Sequence, residues 1–368
     1  MNGRSTLCIR TPVILRILAA ISDIMKYIAL SVLFAALLFS CSTQPAKPDV
    51  SGIPIKLDVL RFDQDLFQLD TTDMPRAMQE LQQKYPGFLR DFMDNILGVP
   101  VNSQEAPLVL QKFITDFRPI YRQSQPLFSD IKGLQADVRS LLQHIQFYFP
   151  DYAAPQKMIT FIGPMDAFYE TSLGWSGDII TTDGLGIGLQ LHLGSQQPLY
   201  QETDGRGYPA YISRRFEPSY MVVNCARNII DDLYPDFSRE KALIDQMIDK
   251  GKRLYAIDRL LPEVADTLKI GYTAAQLAAC EKNEALIWTF FLQNQLLFET
   301  DFQKIKPYVT DGPKTQELGD DAPGFIALYM GKKIVEAFME KHPDVTLPQL
   351  MTYDARKLFE EAKYKPGR

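Results

Sequence analysis

The sequence predicts an α+β domain that is mostly helical, with a small mixed or antiparallel sheet set into its middle. Two observations carry this. Before Pro150 and again after Pro218, apolar residues recur three and four apart, the spacing of one helix face. Between those stretches, residues 157–194 hold short β-prone runs punctuated by Gly163-Pro164 and Asp183-Gly184, as strands joined by tight turns require. A hydrophobic content of 46% and an aromatic content of 11% suit a well-packed globule. Alternating βαβ units are missing, which argues against the rival of a small-ligand-binding protein of the solute-capture kind.

Residues 28–42 (IALSVLFAALLFSCS) read as a bacterial lipoprotein signal. The apolar run is shorter than the roughly 20 residues a membrane helix needs. A small residue, Ser40, precedes Cys41, so Cys41 is the expected mature N-terminus and lipid attachment point. Residues 1–40 are then a signal peptide, with Met25 reading as the true start. That segment holds Arg4, Arg10, Arg16 and Lys26 against Asp23, a net of +3, so the mature chain is near −9 where the whole is −6. It lacks a clustered basic face, which excludes nucleic acid as a partner.

Residues 41–54 (CSTQPAKPDVSGIP) form a proline-containing tether. The stretch VLRFDQDLFQLD that follows reads as a strand, or a strand and a turn. Thr72-Asp73-Met74-Pro75 caps a helix over RAMQELQQKY, which Pro86 ends, and GFLRDFMDNIL continues as another. Two more helices follow. The second carries Ile131, Leu134, Val138, Leu141, Leu142 and Ile145 on one stripe. KMITFI and DIITTDGLGIGLQLHLG supply three or four strands, with His192 in the last. Helices return with SYMVVNCARNIIDDLY, then one capped by Ser238, then one capped by Thr273. FIALYMGKKIVEAFMEKH and a helix near DARKLFEEAKY close the chain.

Motifs of catalysis are scarce. The three histidines, His144, His192 and His342, lie far apart in sequence, so a His-x-x-x-His metal face is missing. Neither a G-x-S-x-G elbow, a P-loop nor a Rossmann glycine pattern is present. Besides Cys41, the domain holds Cys225 and Cys280, readable as buried thiols or as a bridge that an exported compartment permits.

Several patterns together carry a resemblance: RFDQDLF and KYPGF at the start, the helix from Tyr220 to Asp232, KGKRLYAIDRLLP from Lys250, GYT from Gly271, CEKNE from Cys280 with Trp288 beyond, DGPKT from Asp311, Pro323-Gly324, and MGKKIV from Met330. The chain resembles the gliding motility-associated lipoprotein GldB family of Bacteroidetes, as a single domain over residues 55–365. Its second part, 157–365, is similar to predicted gluzincin-type zinc proteases, with a helical part over 55–156 before it. The resemblance implies a metallopeptidase-like helical core whose zinc site is degenerate. Where the protease relatives carry His-Glu-x-x-His, this chain has Asn224, Cys225 and Asn228, and where they carry a glutamate ligand before a glycine it has Lys250. Amides are poor zinc ligands, Cys225 cannot replace a general base, and a lysine repels a cation. His192, Glu281, Glu284 and Trp288 are the candidate cleft residues, while the glutamates also read as a solvated face. The resemblance thus implies a non-catalytic outer-membrane lipoprotein without metal or cofactor. It would face the periplasm and bind or scaffold an envelope protein or peptide of the gliding or type IX secretion machinery. The rival is a metallopeptidase with unconventional ligands, His192 with Asp231, Asp232 or Glu284.

Overall fold

The computed structural model describes residues 47–201 and 207–367. The signal segment, Met25, Cys41 and the first part of the tether lie outside the described residues. The chain from Asp49 onward forms one compact unit.

The opening strand is shorter than its sequence suggests. Only β1 (Asp58–Arg61) is extended, and Phe62–Phe67 turns into helix α1. Phe62, Leu66 and Phe67 are all buried, and this spacing of four and five outweighs the local alternation. Helix α2 (Met74–Lys84) is capped by the Asp73 side chain, which accepts from the Arg76 amide. After Pro86, α3 (Phe88–Asp91) runs on as a π-turn over Phe92–Ile96. Helix α4 (Ala106–Phe128) continues through Pro119 and Pro126, both of which lie on its exposed side. Helix α5 (Lys132–Tyr148) buries Val138, Leu141, Leu142 and Ile145, as its stripe predicts.

The sheet is mixed, in the order β1-β2-β6-β5. Strand β2 (Lys157–Phe161) lies parallel to β1 on one side and to β6 (Gly184–Gly188) on the other, while β5 (Ile179–Thr181) pairs antiparallel with β6. A separate hairpin, β3 (Tyr169–Thr171) with β4 (Gly174–Ser176), stands between them in sequence. The β5–β6 turn needs Gly184, whose φ is +151° and whose Cβ would sit 2.4 Å from the Lys157 carbonyl oxygen. In the same turn, Asp183 accepts from the amides of Gly87 and Phe88 at 2.9 and 2.7 Å, capping α3 and tying the sheet to the first half of the chain.

LQLHLG is not a strand. After Gly188 the backbone closes into a 3₁₀ turn over Leu189–Leu191, leaving His192 just past its end. The short α6 (Ala210–Ser213) precedes α7 (Met221–Leu233). Helix α8 (Leu243–Leu260) begins later than Ser238, which instead donates to Asp236 in a loop turn. Helix α9 (Asp266–Ile270) follows, and Thr273 caps α10 (Ala274–Lys282) through a capping box with Gln276. The helix expected there is two, because α11 (Glu284–Gln293) restarts after Asn283. Helices α12 (Phe302–Val309), α13 (Ala327–Lys341), α14 (Leu347–Thr352) and α15 (Ala355–Ala362) complete the chain.

Helices α8 and α13 touch backbone to backbone. A Cβ on Gly331 would fall 1.8 Å from the Met247 carbonyl oxygen, and one on Gly251 would fall 2.2 Å from the Gly331 carbonyl carbon. The glycines of KGKR and MGKK therefore serve one another. Gly331→Ala is expected to destabilise the protein by about 3 kcal/mol, the upper end for overpacking, because rigid backbone must move apart. Urea denaturation checks this, and a loss below about 1 kcal/mol would refute the contact.

Candidate functional site

Two of the three positions singled out on α7, Asn224 and Asn228, converge on one buried acid, Asp178. This residue sits between β4 and β5 and is 1% exposed. The Asn224 amide donates to its Oδ2 at 2.8 Å, and the Asn228 amide donates to its backbone carbonyl at 2.7 Å. The Gly188 amide donates to its Oδ1 at 2.9 Å. His192 places Nε2 2.8 Å from Oδ2 and 3.1 Å from Oδ1, and its Nδ1 lies 3.2 Å from the Glu217 carbonyl oxygen. Both ring nitrogens therefore face acceptor oxygens, so the ring is held between Asp178 and the segment leading into α7.

Cys225 and Lys250 do other work. The Cys225 thiol is buried, and burial, then the nearby Asp178 charge, push its pKa well up. Cys280 is also free and buried, its thiol raised to about 12 by burial and by Glu281. The Cys225–Cys280 bridge is thus not formed. Lys250 turns to an ion pair with Asp236, in the loop after α7, and does not join the Asn224–Asn228 face. Burial opposes ionisation of Asp236, but Lys250 and the Ser238 donors outweigh it and bring its pKa to about 2.

The candidate cleft residues separate in the same way. Glu284 accepts from the hydroxyls of Tyr329 and Tyr364 at 2.9 and 2.7 Å, and Trp288 packs edge-on to Tyr364, so both fasten the chain's end. Glu281 is exposed. Glu281, Glu284 and Trp288 therefore do not stand with His192: Glu284 and Trp288 face Tyr364 near the end of the chain, and Glu281 faces solvent. Nor do the acids of the rival reading reach it. Asp231 accepts from Ser172 and from Arg253, and Asp232 accepts from the Tyr152 hydroxyl. Among the described residues, no three His, Cys, Asp or Glu side chains are grouped to hold a metal ion.

A narrow crevice of about 10 Å³, room for one water, opens beside this cluster. Phe168, Trp175, His192, Arg215, Asn224 and Arg227 are among its walls. Asp178, Arg215 and Arg227 were not legible as site residues. The one signal was on α7, where Arg227 lies three residues after Asn224 and next to Asn228, making a polar stripe on a buried helix.

Asp178→Ala strands the Asn224, Gly188 and His192 donors. It is expected to cost about 3–5 kcal/mol in urea denaturation, as breaking a buried pair does. The Lys250–Asp236 pair predicts an acid transition. The Asp236 carboxyl titrates lower in the folded chain, about 2, than its ordinary 3.8. Its contribution is therefore complete above about pH 4 and is lost as the pH falls toward 2. Lys250→Met should lower the melting temperature at neutral pH, and its gap from the wild type should close between about pH 4 and pH 2. A gap that stays constant over that range would count against the pair.

No helix among the described residues is long and apolar enough to cross a membrane. No curated protein and no solved structure is significantly similar to the chain. The family described as gliding motility protein GldB matches residues 43–366, nearly everything after Cys41. The chain belongs to the GldB family of gliding motility lipoproteins, anchored at a membrane of the cell envelope.

Proposed function

We propose that the chain is a non-catalytic outer-membrane lipoprotein that faces the periplasm from acyl chains on Cys41. There it binds or scaffolds a protein of the gliding or type IX secretion machinery. Two or more acyl chains hold a protein at a bilayer stably, where one does not. Family membership supports the gliding association. The carrying observation for a role without catalysis is the use made of the metallopeptidase-like positions. Asn224 and Asn228 donate to Asp178, and Lys250 is paired with Asp236, so each is committed to holding the fold. On this reading the gluzincin-like part is a shape retained without its chemistry. The metallopeptidase alternative would need His192 to leave Asp178 and would need Asp231, Asp232 or Glu284 to abandon partners in three other places.

Affinity capture of the full lipoprotein from crosslinked membranes is expected to enrich gliding or secretion components over the abundant porins, and Cys41→Ser should abolish that enrichment. Porins alone, recovered equally with and without the lipid, would overturn the reading.

A further inference from the structure

The segment that leads into β1 is strapped along helix α5. Gln143 donates to the Ile53 carbonyl at 3.0 Å, Arg139 to the Ile55 carbonyl at 2.8 Å, and Gln135 to the Leu57 carbonyl at 3.4 Å. Residues four apart share a helix face, so the strap runs against the direction of α5 and begins by that helix's C-terminal end. Val50, just ahead of the strap, is buried, which pins the chain at that point.

This fixes which end of the domain a lipid anchor can hold. Cys41 precedes Val50 by nine residues, and nine extended residues reach about 30 Å. The unit from Asp49 to Arg368 is of a size that spans about 50 Å. Acyl chains on Cys41 therefore keep the end around Val50 and the close of α5 by the bilayer, and the opposite end off it.

That end carries exposed apolar surface. Phe147, four residues past Gln143 and on the same helix face, is 48% exposed and meets Tyr148 edge-on. Beside it a groove of about 410 Å³ opens between residues 54–56 and residues 152–156, with Gln146 and Pro150 also on its walls. The walls are held in place: the Asp58 amide donates to the Gln156 carbonyl at 2.9 Å, and the Tyr152 hydroxyl donates to Asp232 at 2.7 Å. Charge on this stretch is mixed. Lys56 lies 3.5 Å from Asp58, and Asp49 and Asp151 are exposed, so attraction to anionic lipid is not what the surface is built for.

We propose that this end of the domain lies on the phospholipid surface that anchors it, with Phe147 entering the headgroup layer and the groove beside it open to lipid. The proposal rests on the reading of Cys41 as the lipidated residue and names the face that meets the membrane. Aromatic side chains suit that layer, and an amphipathic surface lies in it without spanning it.

The test reconstitutes the full lipoprotein in phosphatidylcholine vesicles that carry doxyl-labelled lipid, with an NBD fluorophore on Phe147→Cys, Ala153→Cys or Phe298→Cys. Cys225 and Cys280 are each 1% exposed and do not compete for the label. Phe298 is the control: it is 60% exposed, more than Phe147, but stands by the other end of α8. The Leu243 amide donates to the Glu299 carbonyl there, whereas Tyr148 lies within electrostatic reach of Arg259, and the helix between residues 243 and 259 is about 24 Å long. Quenching at residues 147 and 153 should exceed that at 298 by at least about twofold, and Phe147→Glu should about halve it at 153. Should Phe147→Cys fail to fold, Ala153→Cys carries the comparison. Equal quenching at all three positions, strongest quenching at 298, or quenching only with phosphatidylglycerol present would overturn the proposal. So would a benzophenone on residue 147 that joins an envelope protein and no lipid. Vesicle flotation reads the anchor separately: a chain that floats without quenching at 147 or 153 refutes the face and leaves the anchor, and one that does not float refutes both.

Discussion

The carboxylate of Asp178 is the interaction on which the centre of the molecule depends. A charge 1% exposed survives only if donors surround it, and here the donors to Asp178 come from three separate places, with Asn228 reaching its backbone carbonyl. The Gly188 amide holds the end of β6, His192 holds the 3₁₀ turn, and Asn224 and Asn228 hold α7. One acid thereby sets the distance between sheet and helix. Through the Nδ1 contact of His192 with the Glu217 carbonyl, it also positions the segment leading into α7.

How much of this was legible in the sequence varied with range. Local chemistry read well. The Asp73 and Thr273 caps, the Pro86 break and the α5 stripe are decided by neighbours within one turn. The sheet was visible in its middle strands but not in its order. Strand β1 joins β2 across about a hundred residues, and nothing local in DVLR announces that partner. Ser238 looked like a helix cap, but Asp236 engages it first and the helix starts at Leu243. At the site, Asn224 and Asn228 were legible as one helix face. Asp178 was not, because an acid between two short strands reads as a turn residue until the fold closes over it.

Of Asn224, Cys225, Asn228 and Lys250, the structure brings two to a common partner. The two amides act together, whereas Lys250 serves the Asp236 loop. The glycine beside Lys250 has its own reason: Gly251 lets α8 meet α13 at Gly331 with no side chain between them. A motif that resembles a ligand-and-glycine pattern is thus maintained here by packing at the glycine and by a buried ion pair at the lysine. Each requirement acts without a metal, so either residue can be explained by stability alone.

Helix α7 carries two opposite electrostatic outcomes within one turn. At Asn224 a buried carboxylate accepts a side-chain amide, and at Asn228 the backbone carbonyl of the same residue accepts another. At Arg227 a buried cation has one carbonyl, a like-charged neighbour and an unpartnered Nε. Folding alone rewards the first arrangement and penalises the second, since unpaired buried charge opposes stability. The helix could shed that penalty with an apolar residue at Arg227, the remainder of its inward face being largely apolar. What Arg227 does hold is the Lys269 carbonyl at the end of α9, so the arginine side of α7 is tied to the segment before Gly271 while the Asn224 side is tied to the acid beside the sheet.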